Sequence, residues 1–267
     1  MTNSTLDYLL KDEDWKVLED MKERMLGECD ECDHTGHRLA KDQSRKAAWT
    51  KTEECSCLKR FKRYKEYYKS RIPEIYWKLN DKNFEGDKSA LKLVMRYNEK
   101  IHNAVAKGLG FLFYGNNGNG KTTLSCIIAK HAIKNGYSVL YGTLQSYLNM
   151  VMDSFGSDAQ TEKVRDLIKN VDVLIIDELG KEHVKRNEAT GTVFGFSEFE
   201  QILRHREGKN KVVIEITNLR PQQLESQYGA SIASLFEGAL KKVEVTGPDM
   251  RRTLKSKSWE KRLEGKE

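Results

Sequence analysis

One octapeptide, Gly115-Asn116-Asn117-Gly118-Asn119-Gly120-Lys121-Thr122, constrains this chain more than any other stretch. It satisfies each fixed position of the phosphate-loop pattern, Gly-x4-Gly-Lys-Ser/Thr. Such a loop functions only between a buried strand and a helix. Its glycines let the backbone turn inward, so that successive N–H groups and the helix N-terminus face phosphate oxygens. Both flanks are present: apolar Gly110–Tyr114 precedes the loop, and Leu124, Ile127 and Ile128 follow it with a helical period. In this pattern Lys121 reaches the β- and γ-phosphates, the Thr122 hydroxyl ligates Mg2+, and Thr123 continues the cradle into the helix. A glycine-rich turn that merely starts a helix is the alternative, and it leaves the Lys-Thr pair unexplained.

A phosphate loop needs an acid for the metal, and Val173-Leu174-Ile175-Ile176-Asp177-Glu178 supplies a buried strand ending in two carboxylates. Asp177 is expected to hold Mg2+ through its water shell, and Glu178 to orient and polarise the attacking water. The alternative is a strand followed by an acidic turn. Together the two motifs point to ATP binding and hydrolysis.

Around these motifs short apolar runs alternate with amphipathic stretches. Strands are predicted at Gly110–Tyr114, Ser138–Gly142, Val171–Ile176, Val212–Thr217 and Val243–Val245. Helices are predicted near 120–135, 144–154, 160–169, 191–207, 221–227 and 230–240. Strands separated by helices of this length indicate an α/β fold, a parallel sheet between helices. Upstream, helical periodicity covers residues 1–27, with Leu6, Leu9, Leu10, Trp15, Leu18, Met21 and Met25 near one face. A basic aromatic helix spans about 58–71, and a further helix about 88–106. The chain has 267 residues, is 38% hydrophobic, and holds no apolar run near the roughly 20 residues of a membrane span. Early acidic residues (Asp7, Asp12, Glu13, Asp14) exclude a signal peptide, so a cytoplasmic location is expected.

Of five cysteines, four crowd together as Cys29-x2-Cys32 and Cys55-x-Cys57. In a chain without an export signal this crowding suggests a metal site over a disulfide framework. Four thiolates suffice for a tetrahedral, closed and therefore structural Zn2+ site, with His34 or His37 able to replace one cysteine. A set of reduced buried thiols is the alternative. The net charge of +6 is mild, but the cations concentrate. One cluster is Lys59, Arg60, Lys62, Arg63, Lys65, Lys69 and Arg71; the other is Arg251, Arg252, Lys255, Lys257, Lys261 and Arg262. Phe61, Tyr64 and Tyr68 recur among the first cluster. They either stack single-stranded bases or pack inward while the cations are solvated.

Asp177-Glu178-Leu179-Gly180 after a buried strand, Ile216-Thr217-Asn218-Leu219 on a later one, and the closing Val245-Thr246-Gly247-Pro248-Asp249-Met250-Arg251 occur in that order. In them the chain resembles the AAA+ ATPases of the bacterial replicative helicase-loader family, the DnaC/DnaI type, which is related to IstB-like transposition ATPases. The resemblance covers about residues 28–252. It implies that Asn218 takes the sensor-1 place, contacting the γ-phosphate or the attacking water, and that Arg251 takes the sensor-2 place. Read alone, Asn218 is equally a turn residue and Arg251 one more charge on a basic tail. The family also carries an arginine acting in trans in the segment matching Gly229–Leu235. Here that segment reads Gly-Ala-Ser-Ile-Ala-Ser-Leu, so the implied homo-oligomer lacks its usual contact unless Arg204 or Arg206 takes the role.

The expected architecture is an N-terminal helix, zinc module and basic helix over 1–71, an AAA+ ATPase domain over 72–252, and a basic tail over 253–267. The expected function is that of an ATP-dependent replication factor that helps place a replicative helicase on single-stranded DNA. An IstB-like transposition ATPase and a nucleotide-gated adaptor with little hydrolysis are the alternatives.

Overall fold

The computed structural model describes residues 3–39, 52–181 and 194–250. The chain opens with a 3-10 helix, Asn3–Leu9, followed by α1 (Asp12–Gly27). Strands β1 (His37–Leu39) and β2 (Thr52–Glu54) pair antiparallel, and α2 (Ser56–Lys69) follows directly. After a 3-10 turn at Glu74–Tyr76 come α3 (Lys88–Glu99) and α4 (Ile101–Ala106). The remainder alternates: β3 (Gly110–Tyr114), α5 (Lys121–Lys134), β4 (Val139–Thr143), α6 (Leu144–Asp153), α7 (Asp158–Asn170), β5 (Val173–Leu179), α8 (Phe194–Gly208), β6 (Val212–Thr217), α9 (Pro221–Ala239) and β7 (Leu240–Glu244).

Strands β3–β7 form one parallel sheet in the order β4-β5-β6-β3-β7. Its central strands are apolar on both faces, as a parallel sheet covered by helices requires. One face, carrying Phe111, Phe113, Val173, Ile175, Ile214 and Ile216, packs on α5 through Leu124, Ile127 and Ile128. The opposite face, carrying Leu112, Leu140, Leu174 and Ile176, packs on α6–α9 through Leu148, Ile168, Phe199 and Leu224. Because all five strands run the same way, the C-terminal ends of β3, β5 and β6 lie along one edge. This is the edge where open α/β sheets bind ligands.

β6 interrupts its apolar run with Glu215, which is fully buried and whose two carboxylate oxygens have no hydrogen-bond partner. With Arg206 it lines a cavity of about 220 Å³ at the opposite edge of the sheet. Burial raises its carboxyl well above the ordinary glutamate value.

Predicted and observed elements agree for β3 and β6 and differ instructively elsewhere. The single helix predicted for 1–27 is two pieces, and their apolar residues serve different cores. Leu6 joins the α6–α9 layer, whereas Leu18, Met21 and Met25 join the α5 layer. The helix predicted for 88–106 breaks at Lys100, whose φ/ψ of −113°/26° is not helical. The predicted pause between 227 and 230 is a kink within α9 at Gly229, with φ 83°. The last strand begins three residues before the predicted Val243, because Gly110 to Tyr114 offer partners from Leu240 onward.

The N-terminal elements pack against the sheet layer. Leu18, Met21, Phe61 and Tyr67 belong to the same apolar cluster as Ile127 and Val139. The Tyr141 N–H on edge strand β4 donates to the Ser70 carbonyl at the end of α2 (2.9 Å), and Lys130 Nζ donates to the Tyr76 carbonyl (2.6 Å).

Candidate nucleotide site and thiol cluster

The chain leaves β3 at Gly115, passes through Gly118 and Gly120 with φ of 133°, 78° and 98°, and enters α5 at Lys121. Side chains would be strained there, and a Cβ on Gly115 would also lie 2.5 Å from the Val245 carbonyl oxygen. Lys121 is buried, and its Nζ donates to the carbonyls of Gly115 (2.8 Å) and Asn116 (2.7 Å) and to Asn119 Oδ1 (3.2 Å). The ammonium is thereby held across the mouth of the loop. Thr122 Oγ1 donates to Asp177 Oδ2 at 2.9 Å, which joins the loop to the end of β5 across 55 residues of sequence.

Asp177 is buried, and its Oδ1 accepts the N–H of Glu178 at 2.7 Å. Glu178 itself has φ 57° and faces outward, its Oε1 paired with Lys181 Nζ at 2.9 Å. Asn218 follows β6 immediately, and β6 lies between β3 and β5, so Asn218 stands between the phosphate loop and Asp177 on the ligand edge. Its neighbour Thr217 ties the two strand ends together, donating from Oγ1 to the Leu179 carbonyl at 2.7 Å. Arg251 lies outside the described residues, as does the basic cluster beginning there.

Two further segments close around the loop, the second of them part of the closing motif. From one side come residues 84–87: Phe84 covers Gly120, and Gly86 approaches the Asn119 carbonyl. From the other comes 245–250. Val245 N–H donates to the Tyr114 carbonyl (2.8 Å), Met250 N–H to the Gly118 carbonyl (2.9 Å), and the Asp249 carboxylate abuts Gly118. Asp87 fastens the two segments to each other, its Oδ2 accepting from Thr246 N–H (2.9 Å) and Thr246 Oγ1 (2.8 Å). Burial works to raise the Asp87 carboxyl. The hydrogen bonds from Thr246, Ser89 and Ala90 outweigh it and hold the group well below the usual carboxylate range.

A further residue at this site gives no sequence signal. Tyr141 on β4 donates its phenol O–H to Asp177 Oδ2 at 2.5 Å. In a single sequence it reads as one more aromatic in a half-buried strand, since only strand pairing brings it beside the acid. Burial, followed by the charge of Asp177, raises the phenol far above its ordinary value, so the proton stays on Tyr141.

The four clustered cysteines meet as predicted. All four sulfurs lie within 4.8 Å of one another, with Cys29 to Cys55 at 3.7 Å and Cys32 to Cys57 at 3.5 Å. A tetrahedral ion at about 2.3 Å from each sulfur would space them by about 3.8 Å, so the donor set fits Zn2+. The turn after Cys32 aims the Gly36 N–H at the Cys32 sulfur (3.3 Å), aided by positive φ at Asp33, His34 and Gly36. The Cys57 N–H lowers the Cys55 thiol to about 7, while burial raises Cys57 to about 12. His34 and His37 are not needed as substitutes. Both are exposed, and their Nδ1 atoms contact the carbonyls of Leu26 (2.9 Å) and Thr35 (3.3 Å).

The aromatic residues of α2 turn inward. Phe61 and Tyr67 are buried, Tyr64 packs on Trp77 with ring centroids 5.0 Å apart, and Tyr68 Oη donates to Asp14 Oδ1 at 2.7 Å. This excludes the base-stacking arrangement, although Lys59, Arg60, Lys62, Arg63 and Arg71 remain exposed. Lys69 is buried and paired with Asp7 (2.7 Å). Of the two arginines considered for a contact in trans, Arg206 is fully buried, its guanidinium bonded to the carbonyls of Ile168, Lys169 and Val212. Arg204 is exposed and bonded to Glu200 and to Ser231 of the Gly229–Leu235 segment (2.8 Å).

Residues 99–258 match the family described as IstB-like ATP binding protein. The replicative helicase loader DnaC of Buchnera aphidicola subsp. Baizongia pistaciae is 32% identical over 126 residues, 45% of this chain and 50% of that protein. The chain therefore spans about half the length of that curated relative. A crystal structure of the DnaC helicase loader superposes with a TM-score of 0.54 at 20% identity, covering 65% of this chain and 100% of that one. The replication initiator DnaA bound to AMPPCP and single-stranded DNA superposes with a TM-score of 0.53 at 24% identity, covering 69% of this chain and 56% of that one. At these identities the superpositions speak for the fold alone.

Proposed function

From the premise that this chain belongs to the IstB-like ATP-binding protein family and has an AAA+ P-loop fold, we propose that it is an ATPase that loads a replicative helicase onto single-stranded DNA. The observation that carries the reading is the 2.9 Å contact between Thr122 and Asp177, which joins phosphate loop and acidic strand into one site. Gly115, Asn116, Asn117, Gly118, Asn119, Gly120 and Thr123 would cradle the phosphates, and Lys121 would exchange its loop carbonyls for phosphate oxygens. Thr122 and Asp177 are hard oxygen donors suited to Mg2+, which when bound would neutralise and orient the terminal phosphates. Glu178 would orient and polarise the attacking water. Asn218, between the two strand ends, would report the γ-phosphate, and Arg251 would do so from the end of the domain.

The four cysteines would hold a structural Zn2+ in an N-terminal module over 1–71, with the ATPase domain over 72–252 and a basic tail over 253–267. The module would engage the helicase, and the exposed cations of α2 would be available to DNA phosphates. A homo-oligomer would use Arg204 in trans, since it alone of the two candidate arginines is exposed.

One observation favours a second reading, a nucleotide-gated adaptor with little hydrolysis: the Glu178 carboxylate is exposed and engaged by Lys181 Nζ. The test is ATP turnover by the full chain with single-stranded DNA and a hexameric replicative helicase, beside Glu178→Gln. Turnover that rises with the helicase and vanishes in E178Q is the expected result. Background turnover throughout would leave the adaptor, and binding only to duplex DNA and a transposase would favour the IstB-like transposition reading.

A further inference from the structure

The edge strand β4 contributes one side chain to the acid at the end of β5, and no motif assigns it a task. In the parallel pairing Thr143 stands opposite Asp177 and Tyr141 opposite Ile175, so Tyr141 is the diagonal neighbour of Asp177 on the same face. That diagonal is within reach of an aromatic side chain. The phenol O–H arrives at Asp177 Oδ2 at 2.5 Å, the length of a charge-assisted hydrogen bond to a carboxylate. The same oxygen accepts from Thr122 Oγ1 at 2.9 Å, and the other oxygen accepts the Glu178 N–H at 2.7 Å. Two side-chain donors therefore set the rotation of the carboxylate, and Thr122 is itself a candidate ligand for the cation. Tyr141 is the donor with no such second duty.

Its own position is held from both sides of the strand. The backbone pairs with β5, while the Tyr141 N–H donates to the Ser70 carbonyl at 2.9 Å, so the end of α2 braces the edge of the sheet at this residue. The ring packs against the apolar layer under α5.

We propose that Tyr141 is a positioning residue of the nucleotide site, whose phenol hydrogen bond fixes the Asp177 carboxylate in the orientation that binds the magnesium–nucleotide complex. This rests on the nucleotide reading above. Residues that hydrogen-bond a metal-binding carboxylate typically account for about 10–100-fold in metal affinity or activity.

The test is Tyr141→Phe in the full chain, which keeps the ring and removes one O–H. Binding of a fluorescent ATP analogue is measured in excess EDTA and then across a Mg2+ titration, with thermal melting of each protein in EDTA. The expected result is unchanged affinity and melting in EDTA, with a Mg2+ concentration for half-maximal tightening about 10-fold higher in Y141F. Equal Mg2+ dependence in the two proteins overturns the role of Tyr141 while leaving the nucleotide site standing. A loss of melting temperature with no change in Mg2+ dependence overturns it too, since it assigns the phenol to packing. Absence of Mg2+-dependent nucleotide binding in the unsubstituted chain overturns the nucleotide reading and this one with it.

Discussion

The thiol cluster at Cys29–Cys57 and the loop at Gly115–Thr122 both gather donor atoms from separated parts of the chain, but they are held in different ways. The loop is clamped by a parallel sheet with apolar layers on both faces, so backbone N–H groups, Lys121 and Asp177 are positioned by a core. Among the described residues, the cluster has Leu26 and Leu58, both partly buried, packed against its sulfurs, and a two-stranded ribbon beside it. Its sulfur spacing is compatible with an ion's coordination shell. A site built on a core keeps its shape without its ligand; one built on a few residues takes its shape from the ligand.

Metal removal tests that contrast most severely. A strong chelator is expected to cost the module about 10 kcal/mol or more of local stability, the scale of structural zinc in small domains. Hydrogen exchange should show the Cys55 amide, bonded to the Gly36 carbonyl, losing protection while the amides of β3, β5 and β6 keep theirs. Parallel loss across the sheet would mean that the contact of α2 with α5 makes the two regions one cooperative unit.

Lys121→Ala probes the other side of the comparison. It is expected to reduce turnover about 10²–10³-fold, as loss of a preorganised charge donor does, with little change in melting temperature. A large fall in melting temperature instead would show that the lysine's bonds to loop carbonyls hold the loop together, making it less independent of its own donors than the sheet suggests.

The smallest effect concerns a flaw in the core itself. Glu215→Met is expected to stabilise the chain at pH 8 by about 1–3 kcal/mol, because it removes a buried carboxyl with no partner. The sign with pH follows from linkage. Burial raises the folded-state value, so above the usual glutamate range, about 4.3, the unfolded chain releases a proton that the native chain retains. Stability is thereby lost as pH rises from that value toward the folded one, and the gain from E215M grows over the same interval. Urea unfolding at pH 4 and pH 8 measures it; an equal gain at both would assign the effect to packing alone.

Local chemistry made much of the site readable in advance. Gly115–Thr122, Asp177 and the four cysteines could be singled out as candidates because phosphate loops, acidic strand ends and thiolate sets demand particular residue types at particular spacings. Tyr141, Phe84 and Asp87 gave no such signal. Each is an ordinary residue made part of the site by a neighbour far away in the chain, as with Asp87 and Thr246. The inward turn of Phe61, Tyr64 and Tyr68 was one of two readings the sequence left open, since helical spacing shows that residues share a face but not which way it points.

By itself, then, the sequence determined the alternation of strands and helices, the phosphate loop with its acidic strand, and the thiol set. All of these follow from residue type and short spacing. Only the tertiary structure decided which layer each apolar face joined, that Arg206 is interior while Arg204 is exposed, and that a tyrosine from the edge strand reaches the acid beside it. The physical reason is that contacts between elements are set by strand order and register, and these are properties of the whole packed sheet.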